Sequence, residues 1–340
     1  MMNLRFMSFS NRRSFLYLGR EKSIHDDRFL GALHEIGQVQ ARFLNADPEP
    51  LTSNSINSDY DLVLACPLTD AVASLPNGVN VPIVGISLAY DINEEITDEV
   101  KQIWFGKNLE RLESIIVDCR YIEEKLRSSF GFQKDIYRVP FGCDFEYFSD
   151  IPLKFTNDLQ ILVTRNWTKI HGNDVVLAAL EQISQVIDFK ATFLGSGPEL
   201  EELSRKHHRL VENGQIRFLG RRKQSELRSH LSDNWCYISG ARSDGSSVSL
   251  MEAMSAGRVC VVTDFASNLE WVQDNLSGFT FRNGDPADLA GKLIAIAQSP
   301  KEKLRDIGDQ ARGVASSAAN WGTNQRSFQD AILKTLAEVG

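Results

Sequence analysis

The 340-residue chain is short of several things at once, and each shortage removes a class of function. It has five cysteines, Cys66, Cys119, Cys143, Cys236 and Cys260, widely separated and mostly set in apolar or strand-like surroundings. No pair of them has metal-ligand spacing, and the six histidines supply no partner pattern, so no metal site is expected. His207 and His208 are adjacent on a charged helical stretch, where neighbours point different ways. The reading is a reduced, cytoplasmic protein whose cysteines are small core residues. No apolar run approaches the roughly 20 residues that span a bilayer. The opening MMNLRFMSFSNRRSFLYLGREK is basic at Arg5, Arg12, Arg13, Arg20 and Lys22, but lacks the apolar core and cleavage site of a secretory signal. It reads as a solvated lead-in to the first strand; the other reading is a basic face in peripheral contact with the inner membrane surface. A net charge of −8 argues against nucleic acid as a partner, since such domains carry a basic face.

What is present is an ordinary globular composition, 42% hydrophobic and 24% charged, in a chain longer than one core usually serves. Short apolar strands alternate with amphipathic helices. Ser14–Gly19 reads as a strand and 25–37 as a helix with Phe29, Leu30, Leu33 and Ile36 on one stripe. Gln38–Leu44, Asp61–Ala65, Val81–Ile86, Ser114–Val117 and Ile136–Val139 continue the strand series. A proline-marked polar stretch at 150–157 sets a domain boundary near residue 152. The alternation then restarts with Gln160–Thr164, Lys190–Leu194, Ile216–Leu219, Trp235–Ser239 and Val259–Thr263. Two α/β halves with parallel sheets are expected, and ligands of such sheets lie beyond the carboxyl ends of the strands.

Three such places in the second half have unusual chemistry. In TRNWTKIHG, Arg165 ends an apolar strand and Lys169 follows in the loop, so two cations converge where an anion would sit. Lys169 reads equally well as a solvated surface charge. In FLGSGPE, Gly195 and Gly197 lead into a helix whose N-terminus suits phosphate, though glycines there also serve simply to turn a strand into a helix. In SDGSSVSLMEAMSAG, a helix from about Val248 to Ala256 begins after Gly245-Ser246-Ser247 and stops at Gly257. Were residues 244–252 all helical, Asp244 and Glu252 would stand roughly 12 Å and about 80° apart, too far for one metal or a close acid/base pair. With Asp244 in the loop, both border one elongated ligand whose phosphate rests on the N–H groups of Ser246, Ser247 and Val248. Alternatively, Glu252 faces solvent and Asp244 is a turn residue before glycine.

Together these stretches resemble the second domain of a GT-B glycosyltransferase of family 4, over about residues 159–290. IRFLGRRKQSELRSHLSDNWCYIS resembles the family's next strand, helix and strand, and the first half matches more loosely through RSFLYLGREKSIHDDRFLGALHEIGQ, YDLVLACPLTDAVA and IIVDCRYIEEKLRSSFGFQKDIYRVPFGCDFEYF. The resemblance implies two Rossmann-like doubly wound domains facing across a cleft. Residues 1–151 would be the acceptor-binding domain and 152–320 the nucleotide-sugar domain, with 321–340 a helix returning to the first. It implies a retaining, metal-independent hexosyltransferase of polysaccharide-biosynthesis type, without a cofactor. The sugar would move from a nucleotide diphospho-sugar to a glycan, lipid-linked or small-molecule acceptor. Glu252 would hold the ribose hydroxyls, Arg165 and Lys169 the diphosphate, and the amides of Ser246–Val248 would assist.

The chain also departs from the family. Asp244 replaces the first glutamate of the family pattern, one methylene shorter, and the spacing from Arg165 to Lys169 is shorter than usual. The glycine-rich loop after the first strand is replaced by residues 19–28, where His25, Asp27 and Arg28 are candidates and Asp26 or Asp27 also suits the helix dipole. Asp91, after a first-half strand, reads as facing the cleft or as a turn residue. The rival readings are a degenerate protein binding a nucleotide or partner in a glycan-assembly complex, and a GT-B sugar-nucleotide epimerase. A GT-B phosphorylase is disfavoured because it needs pyridoxal phosphate and a longer chain.

Overall fold

A computed structural model describes residues 13–339 apart from 21, 23 and 47–49, so the basic lead-in at 1–12 lies outside the described residues. The chain forms two compact units, Met1–Val139 with Gly322–Gly340, and Pro140–Trp321. The first contains β1 (Ser14–Gly19), β2 (Gln38–Phe43), β3 (Leu62–Cys66), β4 (Ile83–Ile86), β5 (Ser114–Val117) and β6 (Asp135–Arg138). They pair in parallel in the order β2-β1-β3-β4-β5-β6. Strands β3, β4 and β5 are buried at every residue, which is why each reads as a continuous apolar run. The edge strand β2 has no fully buried residue and correspondingly carries Gln38, Gln40 and Arg42.

The helix Trp321–Val339 supplies the last element of this unit. Phe328 stacks on Phe29 at 4.9 Å, Gln329 donates to the Ala32 carbonyl at 2.9 Å, and the Thr335 and Ser114 hydroxyls meet at 2.7 Å. Its apolar stripe therefore completes the core of a sheet that was begun at the other end of the chain.

The second unit contains β7 (Leu159–Val163), β8 (Phe189–Phe193), β9 (Ile216–Phe218), β10 (Cys236–Ser239), β11 (Val259–Thr263) and β12 (Phe279–Phe281), all parallel, in the order β12-β11-β10-β7-β8-β9. Strand β12 is absent from the sequence reading because three residues are too few to show a period. The units divide at Val139–Pro140, ahead of the boundary expected near residue 152, because Cys143, Phe148 and Ile151 pack into the second unit's core. All five cysteines are buried and unbridged. Among the described residues, no helix is long and apolar enough to cross a membrane, and no cluster of His, Cys, Asp or Glu could hold a metal.

Each sheet has a point where strand order reverses. In the first, β1 pairs with β2 on one side and β3 on the other; in the second, β7 lies between β8 and β10. Diverging loops at the carboxyl ends of those strands open a crevice suited to a ligand.

One buried cation supports the helix that borders the second of these points. Arg258 is fully buried and donates to the carbonyls of Leu231 (3.0 Å), Ile151 (3.2 Å) and Ala256 (2.6 Å). Burial pushes its pKa down to about 10. The guanidinium thus ties the end of the helix Val248–Ser255 to two other segments. Arg258→Met is expected to destabilise the second unit by about 3 kcal/mol, since the Leu231 and Ile151 carbonyls lose this donor and Ala256 keeps only the longer bond from Arg312 (3.3 Å). Urea unfolding followed by tryptophan fluorescence checks this, and an unchanged midpoint would show that other donors satisfy those carbonyls.

Candidate active site

The loops after β7 and β10 meet at the second unit's switch point, and there Arg165 and Asp244 form an ion pair. Arg165 Nη2 lies 2.6 Å from Asp244 Oδ2, and Nη1 donates to Ser247 Oγ at 2.6 Å and Ser249 Oγ at 3.3 Å. The two charged side chains are only 11% and 20% exposed, so each depends on the other for the hydration it has lost.

Ser247 is the N-cap of the helix Val248–Ser255, yet its hydroxyl makes no capping bond. Arg165 has taken it. A cation at the positive end of a helix is unfavourable by itself, because the unpaired N–H groups there carry about half a positive charge. Asp244 is what makes the arrangement stable. Two positive sources therefore converge on a spot served by one carboxylate, an environment that favours an anion.

A hydroxyl relay extends this centre inward. Ser249 Oγ lies 3.2 Å from Ser247 Oγ and 2.9 Å from the buried Tyr237 hydroxyl. Three residues on, Glu252 shares the helix face of Ser249. It is 4% exposed and does not face solvent; the Gln224 side-chain amide donates to its Oε1. Ser249, Glu252 and Gln224, together with Thr164, Leu194 and Leu227, line a cavity of about 170 Å³. That is below the ~300 Å³ at which small-molecule sites begin, so it has the size of a subsite and not of a complete ligand pocket.

The glycines of the loop after β8 have a packing reason. Gly195 (φ 96°) and Gly197 (φ 155°) lie so close to the loop after β7 that a Cβ would stand 2.6 Å from the Arg165 carbonyl and 2.4 Å from that of Trp167. The Gly195 amide donates to the Gly220 carbonyl at 2.9 Å and that of Glu199 to the Trp167 carbonyl at 3.1 Å. Both amides are thus spent on holding loops together, and the seven-residue helix Leu200–Lys206 follows. The turn-and-packing reading describes these glycines best, although Gly195 also lines the cavity beside Glu252.

Lys169 stands exposed in a single 3-10 turn, Lys169–His171, outside that cavity. Its turn is fixed by Arg242, whose guanidinium donates to the Lys169 carbonyl and pairs with Asp174 at 2.7 Å. The first-unit candidates have partners of their own. Asp91 is fully buried, accepting from the Leu68 amide (2.9 Å) and the Ser87 hydroxyl (2.8 Å), and burial raises its pKa to about 6. Asp26 is buried and accepts from the Tyr17 hydroxyl, whereas Asp27 is exposed and pairs with Lys22 at 2.9 Å. His25 stacks beside Phe29.

Four participants escaped the sequence reading: Ser249, Tyr237, Gln224 and His171. Ser249 was discoverable from its i, i+3 spacing to Glu252. Tyr237 and Gln224 come from separate elements, and no local pattern announces them.

Comparison with known proteins gives the fold its family. The family model described as glycosyl transferases group 1 matches residues 144–314. WcaL of Escherichia coli (strain K12), named as a colanic acid biosynthesis glycosyltransferase, is 29% identical over 183 residues, 50% of this chain and 44% of that protein. N-acetyl-alpha-D-glucosaminyl L-malate synthase of Bacillus anthracis is 26% identical over 43% of this chain and 38% of its own length. The chain thus spans less than half the length of these two curated relatives. The crystal structure of Anabaena Alr3699/HepE with UDP-glucose superimposes with a TM-score of 0.77 at 16% identity, covering 95% of this chain and all (100%) of that one. A glycosyltransferase from Rickettsia africae ESF-5 gives 0.75 at 13% identity, covering 97% and 99%. At such identities the likeness is one of fold, and the fold is GT-B.

The Arg165 loop carries a pH signature. Burial, and then the charge of Arg165, lower the pKa of His171 to about 3 from its ordinary 6.5, and its Nδ1 lies 2.7 Å from the Thr168 hydroxyl. Between those values the unfolded chain binds a proton at His171 that the folded chain does not, so this residue's contribution to stability falls as the pH falls from 6.5 towards 3. Relative to wild type, His171→Gln is expected to gain about 1 kcal/mol of stability per pH unit of acidification in that window. Unfolding midpoints of the two proteins at pH 7, 5.5 and 4.5 check it; a constant difference would contradict it.

Proposed function

Because the chain belongs to the glycosyl transferases group 1 family, we propose that it moves a hexose-like sugar from a nucleotide diphospho-sugar to an acceptor hydroxyl with retention of anomeric configuration. The observation that carries this reading is the Arg165–Asp244 pair set against the N-terminus of Val248–Ser255, with the buried Glu252 on the same helix. A diphosphate brings the negative charge that this place favours. Its oxygens take over the Arg165 donors and the amides at the helix start, and Asp244 is released to accept hydroxyls of the donor sugar. Glu252 accepts the vicinal ribose hydroxyls, one at each carboxylate oxygen, in the cavity that it lines.

The bond from the anomeric carbon to the diphosphate oxygen breaks, and its electron pair leaves with the diphosphate. The acceptor oxygen bonds to the anomeric carbon on the same face, and its proton passes to a diphosphate oxygen. Arg165 stabilises the charge that grows on the leaving group, with Lys169 as a second cation drawn in by it. The Anabaena relative bound to UDP-glucose makes uridine diphosphate the first nucleotide to try. The exposed run Arg221-Arg222-Lys223 borders the Glu252 cavity, where it would adjoin the base.

One observation favours a second reading. Asp244 stands where the family pattern has a glutamate and pairs with Arg165 at 2.6 Å, which suits a protein that binds a nucleotide but does not transfer. Calorimetric titration with UDP, GDP, ADP and dTDP, with and without divalent metal, together with transfer assays, separates the two. We expect selective binding of one nucleotide, weakened roughly tenfold or more in Glu252→Gln. Turnover is expected to fall by about a hundredfold or more in Arg165→Ala. Binding without turnover across donors would establish the second reading, and no binding by any nucleotide would sink both.

A further inference from the structure

The centre around Arg165 has an inner layer, a tyrosine of the sheet itself. Tyr237 is the second residue of β10 and lies between Leu162 of β7 and Cys260 of β11 in the register of the sheet. It is fully buried, in the apolar cluster that also holds Leu162, Leu250, Met251 and Val262. Strand pairing on both sides and packing around the ring therefore fix where its hydroxyl stands. A buried hydroxyl needs a partner, and this one has Ser249 Oγ at 2.9 Å, in the first turn of the helix Val248–Ser255. Because β7 also leads into the loop of Arg165, the same register sets the tyrosine against the arginine.

Counting donors and acceptors gives this contact a direction. The Arg165 guanidinium can only donate, and its Nη1 does so to Ser247 Oγ at 2.6 Å and to Ser249 Oγ at 3.3 Å. Burial raises the pKa of Tyr237, so its hydroxyl keeps its proton. With Tyr237 as donor, both lone pairs of Ser249 Oγ are filled, and the Ser249 hydrogen goes to Ser247 Oγ, 3.2 Å away. Ser247 then accepts twice, from Arg165 and from Ser249, and has no lone pair left for its own helix. That accounts for an N-cap serine without a capping bond. Its hydrogen is left to donate to whatever lies beside Arg165. In the reverse direction Ser247 would give that hydrogen to Ser249 and have none for a ligand.

We propose that Tyr237 is a positioning residue: it donates to Ser249, Ser249 donates to Ser247, and the Ser247 hydroxyl is thereby turned outward as a donor to the diphosphate held by Arg165. That the anion is the diphosphate of a nucleotide donor rests on the transferase reading; the relay rests on the hydroxyl geometry alone.

Titration of the full chain with pyrophosphate, with UDP, GDP, ADP and dTDP, and with the nucleosides of the same bases tests it, by calorimetry or saturation-transfer NMR. The variants are Tyr237→Phe, which keeps the ring, Ser249→Ala, and the two combined. Each single substitution should weaken pyrophosphate and the bound diphosphate roughly fivefold and leave the matching nucleoside unchanged, because the relay acts on the phosphate side only. Added to Ser249→Ala, Tyr237→Phe should change nothing more, since the chain of hydroxyls is already cut. A lost packing contact would weaken nucleoside and diphosphate by the same factor. The proposal is overturned by wild-type pyrophosphate affinity in Tyr237→Phe, by effects of the two substitutions that add, by equal loss of nucleoside and diphosphate, or by no pyrophosphate binding in the wild type. Pyrophosphate binding that responds to Tyr237→Phe in a chain that binds none of the four nucleotides would count against the transferase reading and leave the relay standing.

Discussion

The second unit's site depends on one electrostatic constraint: a nearly buried arginine set at the positive end of a helix. Neither Arg165 nor the free amides of Val248–Ser255 would be stable beside the other without negative charge between them. In the chain by itself Asp244 supplies it, at the cost of the helix's ordinary serine cap, since the Ser247 hydroxyl accepts from Arg165 instead. The surrounding features follow from holding that geometry. The glycines at 195 and 197 let one loop lie against the backbone that carries Arg165, Arg242 pins the turn after it, and Arg258 anchors the far end of the helix.

The same problem is solved differently in the first unit. There too an arginine follows the first strand at a switch point, but two carboxylates hold Arg20, one of them through both oxygens. The distinction is chemical. A cation matched by a single carboxylate oxygen can exchange that partner for another anion at less cost. A cation held bidentately, with a second carboxylate and a hydroxyl, has nothing to gain from another anion.

How much of this was legible in the sequence depends on how local the cause is. Strands such as β3, β5 and β11 were readable because burial on both faces writes an unbroken apolar run, whereas β12 is too short to write anything. The helix at 248 was readable from its turn residues and its terminating glycine. Arg165 stood out because a cation ending an apolar strand needs a partner, but the partner's identity was not local: Asp244 arrives from a different strand's loop. Asp91 and Glu252 show the same limit from the other side. Each is an acid after or within an apolar stretch, and only tertiary packing decides that Asp91 closes a buried backbone amide while Glu252 lines a cavity.

That comparison bears on why Asp244 is shorter than the glutamate of the family pattern. Its Oδ1 accepts its neighbour's amide, from Gly245, while Oδ2 meets Arg165 at 2.6 Å, so both oxygens are in use within the span of one short side chain. A glutamate rooted at the same position would carry its carboxylate one bond further from its own backbone, away from the Gly245 amide. The shorter acid therefore ties the loop to itself and to the arginine at once. Shortening that carboxylate trades reach for order: one side chain holds the loop after β10 both to its own backbone and to the arginine.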